Sequence, residues 1–179
     1  MSEDKPLVNR VAESSLVTFK LEDLFPEGEL AHFDLVDFLF MGLILKEKDF
    51  REALKAHDWQ QYEGKILLVY CSSDAIIPLW AYMLVASYAQ PFARDVFQGN
   101  AEAYYQAAFT RALAHIDPRD YEGQRVVVKG CSHKPVPAAA YLEITKLLRP
   151  YALSILFGEP CSTVPIFKRP KAATAETGS

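Results

Sequence analysis

Cysteine is scarce in this 179-residue chain, occurring only at Cys71, Cys131 and Cys161. A small, odd set of thiols fits a reducing compartment better than a disulfide framework. An excess of positive charge is missing as well. Nineteen basic against twenty-three acidic residues leave a formal charge of -4, so there is no general attraction to nucleic acid or to an anionic membrane. The most apolar run, residues 38–45, stands between Asp37 and Lys46. It is far short of the ~20 residues that span a bilayer, and it reads as core. Residues 1–15 hold no apolar stretch of signal-peptide length, and the protein is expected in the cytoplasm. Also lacking are a glycine-rich phosphate loop, paired metal-binding histidines on a helix and a basic-aromatic nucleic-acid motif, which disfavours the standard nucleotide enzymes. His32, His57 and His115 have no partner at motif spacing and read as structural or surface groups.

Hydrophobic residues, by contrast, make up 50% of the chain, a balance that belongs to packed globular proteins. The expected organisation is a polar arm over residues 1–15, one α/β domain over 16–169, and a tail over 170–179 with the composition of a disordered end. Residues 16–21 alternate apolar with polar as a short strand does, residues 26–29 read as a turn, and from Asp34 the apolar positions become helical.

Sliding the sequence by 59 residues aligns 50–99 with 109–158 without a gap. Fifteen of these fifty positions are identical, against roughly three or four expected from composition. The identities fall on punctuation: Asp58/Asp117, Tyr62-Glu63-Gly64/Tyr121-Glu122-Gly123, Pro78/Pro137, Pro91/Pro150 and Gly99/Gly158. A fixed period marks a repeated structural unit. The fold expected is therefore α/β with an internal duplication, each copy running helix, turn, strand, loop and helix. The strands, 65–70 and 125–129, are nearly continuous apolar runs suited to the interior of a small central sheet covered by helices, where a helical crossover favours parallel pairing of the two. Pro91 and Pro150 should kink or end the helices that precede them.

Each cysteine is followed by serine, and each pair precedes a proline, at Pro78, Pro137 and Pro165. Cys71 and Cys131 fall just past a strand's C-terminal end and ahead of a helix. Sheets of this class place ligand sites there, and helix N–H groups there favour anions, thiolates included. Three thiolates suit zinc or iron, and the register sets Asp74 against His133. The expected metal ligands are thus Cys71, Cys131 and Cys161, with His133, Asp74 or water completing the set. Two other readings stand beside this one. Cys131, among Lys129, His133 and Lys134, is the best candidate for the nucleophile of a cysteine enzyme, because nearby positive charge lowers a thiol's pKa. Alternatively, the thiols are ordinary core residues of a protein-interaction scaffold, cysteine being among the most buried residue types. The wide spacings match no close-set zinc motif and leave that choice open. Glu63 and Glu122 precede the strands and read as turn residues.

Residues 42–51 (GLILKEKDFR), 74–82 (DAIIPLWAY), 129–137 (KGCSHKPVP) and 158–165 (GEPCSTVP) resemble those of an uncharacterised bacterial family, domain of unknown function 2480, over nearly the whole chain. Genes of that family often lie beside iron-sulfur cluster assembly genes. The resemblance therefore implies a part in handling metal or sulfur, with iron-sulfur assembly proteins as partners. It implies no catalytic residue.

Overall fold

Short strands and the helices between them alternate along the chain in a computed structural model that describes residues 16–130, 133–159 and 161–170. In chain order the elements are β1 (Leu16–Phe19), β2 (Leu30–Asp34), β3 (Leu39–Phe40), β4 (Ile44–Leu45), α1 (Glu47–Ala56), β5 (Ile66–Tyr70), α2 (Leu79–Ala89) and β6 (Asp95–Gln98). They continue with α3 (Ala101–Leu113), β7 (Arg125–Lys129), α4 (Ala138–Leu148), β8 (Ser154–Glu159) and β9 (Ser162–Lys168). The chain divides into two compact units. One, nested within the other in sequence, is Pro26–Ala108, and the flanking unit takes the residues before and after it.

In the nested unit β2, β5 and β6 form a parallel sheet with β5 in the middle. Side chains alternate between faces along a strand, and β5 is buried on both. Leu67 and Val69 join Leu54, Trp59, Ala81 and Val85, while Ile66 and Leu68 meet Tyr104 and Ala108 of α3. Trp59 donates its indole N–H to Leu54 O at 2.8 Å. Its ring stacks on Phe33 and lies beside His57.

His57 Nε2 is 2.9 Å from Tyr62 Oη, and burial holds the imidazole below its ordinary value of 6.5, opposed in part by Asp58. A depressed histidine binds its proton less readily folded than unfolded. Its contribution is therefore intact above pH 6.5 and is lost as pH falls through that value toward the lower folded-state value. The urea midpoint should be lower at about pH 5.5 than at about pH 7.5, and His57→Gln should shrink that difference.

In the flanking unit β1, β7 and β8 are parallel and β9 closes the edge antiparallel to β8. Val126, Val128 and Ile155 pack against Phe109, Leu113, Ile144 and Leu148.

The elements recur at the 59-residue offset. α2 starts at Leu79 and α4 at Ala138, and β5 and β7 end at Tyr70 and Lys129, each three residues before the matching serines Ser73 and Ser132. Asp58 accepts from the N–H of Gln60 at 3.1 Å, and Asp117 from that of Arg119 at 2.9 Å. Gly64 and Gly123, at φ 70° and 68°, donate to Phe92 O and Tyr151 O at 3.1 and 3.0 Å. The helices α2 and α4 stop two residues before Pro91 and Pro150, since a proline has no N–H with which to continue the helical ladder.

Two expectations are corrected. β5 and β7 do not share one central sheet but lie in separate sheets. Each is a middle strand with both edges already hydrogen-bonded, so neither has an edge left for the other. Residues 34–45 form no α-helix, and the run 38–45 is not simply core. A 3-10 turn over Leu35–Phe38 leads into the β3–β4 hairpin, in which Leu45 is buried while Phe40, Met41, Leu43 and Ile44 are 47–81% exposed. The physical reason is local: Leu43 N–H bonds Phe40 O at 3.1 Å across Met41 and Gly42, both with positive φ, and such a turn reverses the chain.

Candidate functional site

The C-terminal ends of the parallel strands hold most of the residues expected to carry chemistry. In the nested unit, Asp34 at the end of β2 accepts from the backbone N–H groups of Val36 and Ser72, each at 3.0 Å, tying β2 to the chain leaving β5. Burial pushes the Asp34 carboxyl up, but hydrogen bonds from the Ser72 side chain and from both N–H groups outweigh it and hold the group below its ordinary value. Cys71 is half-buried and packs against the core. Its Sγ is 3.3 Å from Ser73 Oγ, which accepts from Ala75 N–H at 3.3 Å. Burial, helped by the neighbouring Cys71, raises the pKa of the Tyr82 phenol. Asp74 is exposed.

In the flanking unit β7 ends at Lys129, whose Nζ is 2.6 Å from Glu22 Oε1 in a partly buried ion pair. Lys134 Nζ lies 3.5 Å from Glu22 O and 5.4 Å from the centre of the Phe25 ring. Gly130 N–H donates to Gly158 O on β8 at 3.4 Å. A Cβ at position 130 would sit 2.8 Å from the Phe157 ring, which would have to shift to admit it. Cys131 lies outside the described residues. His133 is exposed, as is Cys161 in the turn between β8 and β9.

Among the described residues, no three of His, Cys, Asp and Glu converge as a metal centre. Cys71 belongs to the nested unit, and Cys161 to the flanking one. A metal site of three thiols would need Cys131.

Sequence reasoning missed the apolar surfaces. α2 contains no charged residue. It buries Ala81, Val85 and Ala89 yet leaves Leu79 and Met83 81% and 72% exposed, with Ile76 just ahead of it at 92%. A surface helix ordinarily turns polar side chains to water. The hairpin base and the start of α2 meet over Phe50, whose ring contacts Phe38 at 5.3 Å and Trp80 at 6.2 Å. Both segments leave the same end of the sheet, the C-terminal ends of the parallel strands β2 and β5. In the flanking unit, an open groove of about 610 Å³ is lined by Val128, Tyr141, Leu142, Ile155, Phe157 and Ile166. The signal that was available is the lack of charge between Asp74 and Arg94.

These features define an α/β protein with largely parallel sheets, Cys71 in the loop after β5 and apolar surfaces in both units. The chain belongs to the family described as Protein of unknown function (DUF2480), whose model matches residues 5–169. No curated protein and no solved structure matches it. Among the described residues, no helix is long and apolar enough to cross a membrane.

Proposed function

We propose that this chain is a protein-interaction module, built by internal duplication, whose contact surfaces are the apolar faces beside the strand ends. One observation carries the reading: the β3–β4 hairpin presents Met41, Leu43 and Ile44 to solvent at 81%, 70% and 62% exposure, with Met41 at φ 53°. A turn with two positive-φ residues favours Asn-Gly, and a non-glycine side chain there costs about 1–2 kcal/mol. Methionine at this position helps neither the turn nor its hydration, but it suits an adaptable contact surface. Cys71, half-buried and bonded to Ser73, fits the structural role that this reading gives it. The duplication is supported by the coincidence of identical positions with element boundaries at the 59-residue offset.

The test replaces Leu43, Met83 or the exposed Glu52 by a photo-crosslinking residue in the full chain. Crosslinks to other polypeptides should form from Leu43 and Met83 and not from Glu52. Equal yields from all three positions would contradict the proposal. Iron-sulfur assembly proteins, the partners implied by the family resemblance, are the first to look for among the products.

A second reading is favoured by the Gly130–Gly158 hydrogen bond. It joins the residue before Cys131 to one three residues before Cys161, which supports these two thiols as the nucleus of a zinc or iron site within the flanking unit, with His133 as a further ligand. Metal content of the full chain purified without chelator, against Cys131→Ser and Cys161→Ser, tests it. Equal content in all three would remove this reading. Cys131 as a nucleophile draws less support, because Lys129 shares its charge with Glu22.

A further inference from the structure

We infer that the apolar surface of the nested unit is the contact face of a dimer with a second copy of this chain. The inference rests on the interaction reading above and names the partner. Four side chains of the hairpin and three on Ile76, Leu79 and Met83 are 47–92% exposed. At roughly 100 Å² of apolar area for each such side chain fully exposed, they offer on the order of 500 Å². A standard interface takes about 800 Å² from each partner, and about 65% of a homodimer interface is apolar, which again is about 500 Å². The surface supplies what one half of a stable dimer needs.

The charges at its rim suit self-association. Asp37 stands at the hairpin base, Asp74 in the loop before α2, and Lys46 Nζ lies 3.2 Å from the centre of the Phe40 ring. In a two-fold contact each patch meets its own copy, and a rim with both signs lets Lys46 of one chain face Asp37 or Asp74 of the other. A lipid surface fits less well, because membrane-docking apolar tips are rimmed by Lys and Arg in excess, whereas this rim sets Asp37 and Asp74 against Lys46.

Sedimentation of the full chain between about 1 and 200 µM tests the inference. The average mass should climb from the 20.1 kDa of one chain toward twice that. Met41→Asn and Met83→Gln should each raise the dissociation constant at least about tenfold, whereas Leu153→Gln, on an exposed residue of the flanking unit outside its apolar groove, should leave it unchanged. A mass that stays at 20.1 kDa throughout, or a dimer indifferent to both nested-unit variants, overturns the second copy as partner. So does a monomer that floats with phosphatidylcholine vesicles. If a monomeric chain still crosslinks other polypeptides from Leu43 and Met83, the interaction reading survives and only this inference falls. If it does not, both fall.

Discussion

Gly158→Ala should destabilise the protein by about 3 kcal/mol or more, a fall in Tm of roughly 6–12 °C for a chain of this size. Gly158 lies in β8 at φ 124°, a conformation that L side chains rarely adopt. A Cβ there would also stand 2.5 Å from Ser162 O, a backbone atom of β9 paired across the hairpin. Backbone in a ladder cannot swing aside as a side-chain tip can, so the hairpin must distort, and with it the Gly130 N–H bond to Gly158 O. Gly123→Ala is the control. Its φ is 68° and nothing lies within 4 Å of the added carbon, so only the left-handed penalty of about 1–2 kcal/mol applies. Equal losses from the two variants, measured by thermal unfolding, would contradict this assignment of cause.

Phe50→Ala and Phe109→Ala should each cost about 3–5 kcal/mol, the usual range for emptying a phenylalanine site in a core. Each ring is 1% exposed, and the two are equivalent at the 59-residue offset. Phe50 joins the hairpin base to α2 through Phe38 and Trp80. Phe109 lies edge-on to Phe25 at 6.2 Å, beside Ile144 and Val128 in the flanking core. Denaturant unfolding of both variants checks the expectation. A loss under about 1.5 kcal/mol for either would mean that its site collapses without leaving a cavity.

Much of the local path was legible in the sequence because punctuation residues constrain the backbone without help from distant parts of the chain. Gly64 and Gly123 take the positive φ their turns need, Asp58 and Asp117 cap the 3-10 turns, and prolines follow the ends of α2 and α4. Sheet membership was not legible. β1 pairs with β7 across the whole nested unit, Leu16 opposite Arg125, and no local pattern encodes a partner so far along the chain. The hairpin escaped for another reason: strands of two residues have no periodicity to detect, and eight apolar residues in a row suit a buried segment as well as a protruding one. For the candidate site, the position of the Cys-Ser loop after β5 followed from the strand's own signal. The difference between half-buried Cys71 and exposed Cys161 depends on packing that the shared motif does not encode.

That the hairpin's apolar tip serves contact and not the fold is tested most directly by thermal unfolding of Met41→Asn. Asparagine is the residue that such a turn prefers ahead of glycine, and Met41, 81% exposed, contributes little to the core. Measured at about 1 µM, where association adds little to stability, the variant should unfold at the wild-type Tm or up to ~4 °C above it. A Tm lowered by more than ~4 °C would show that Met41 holds the fold together, and would contradict the reading of this surface as one kept for a partner.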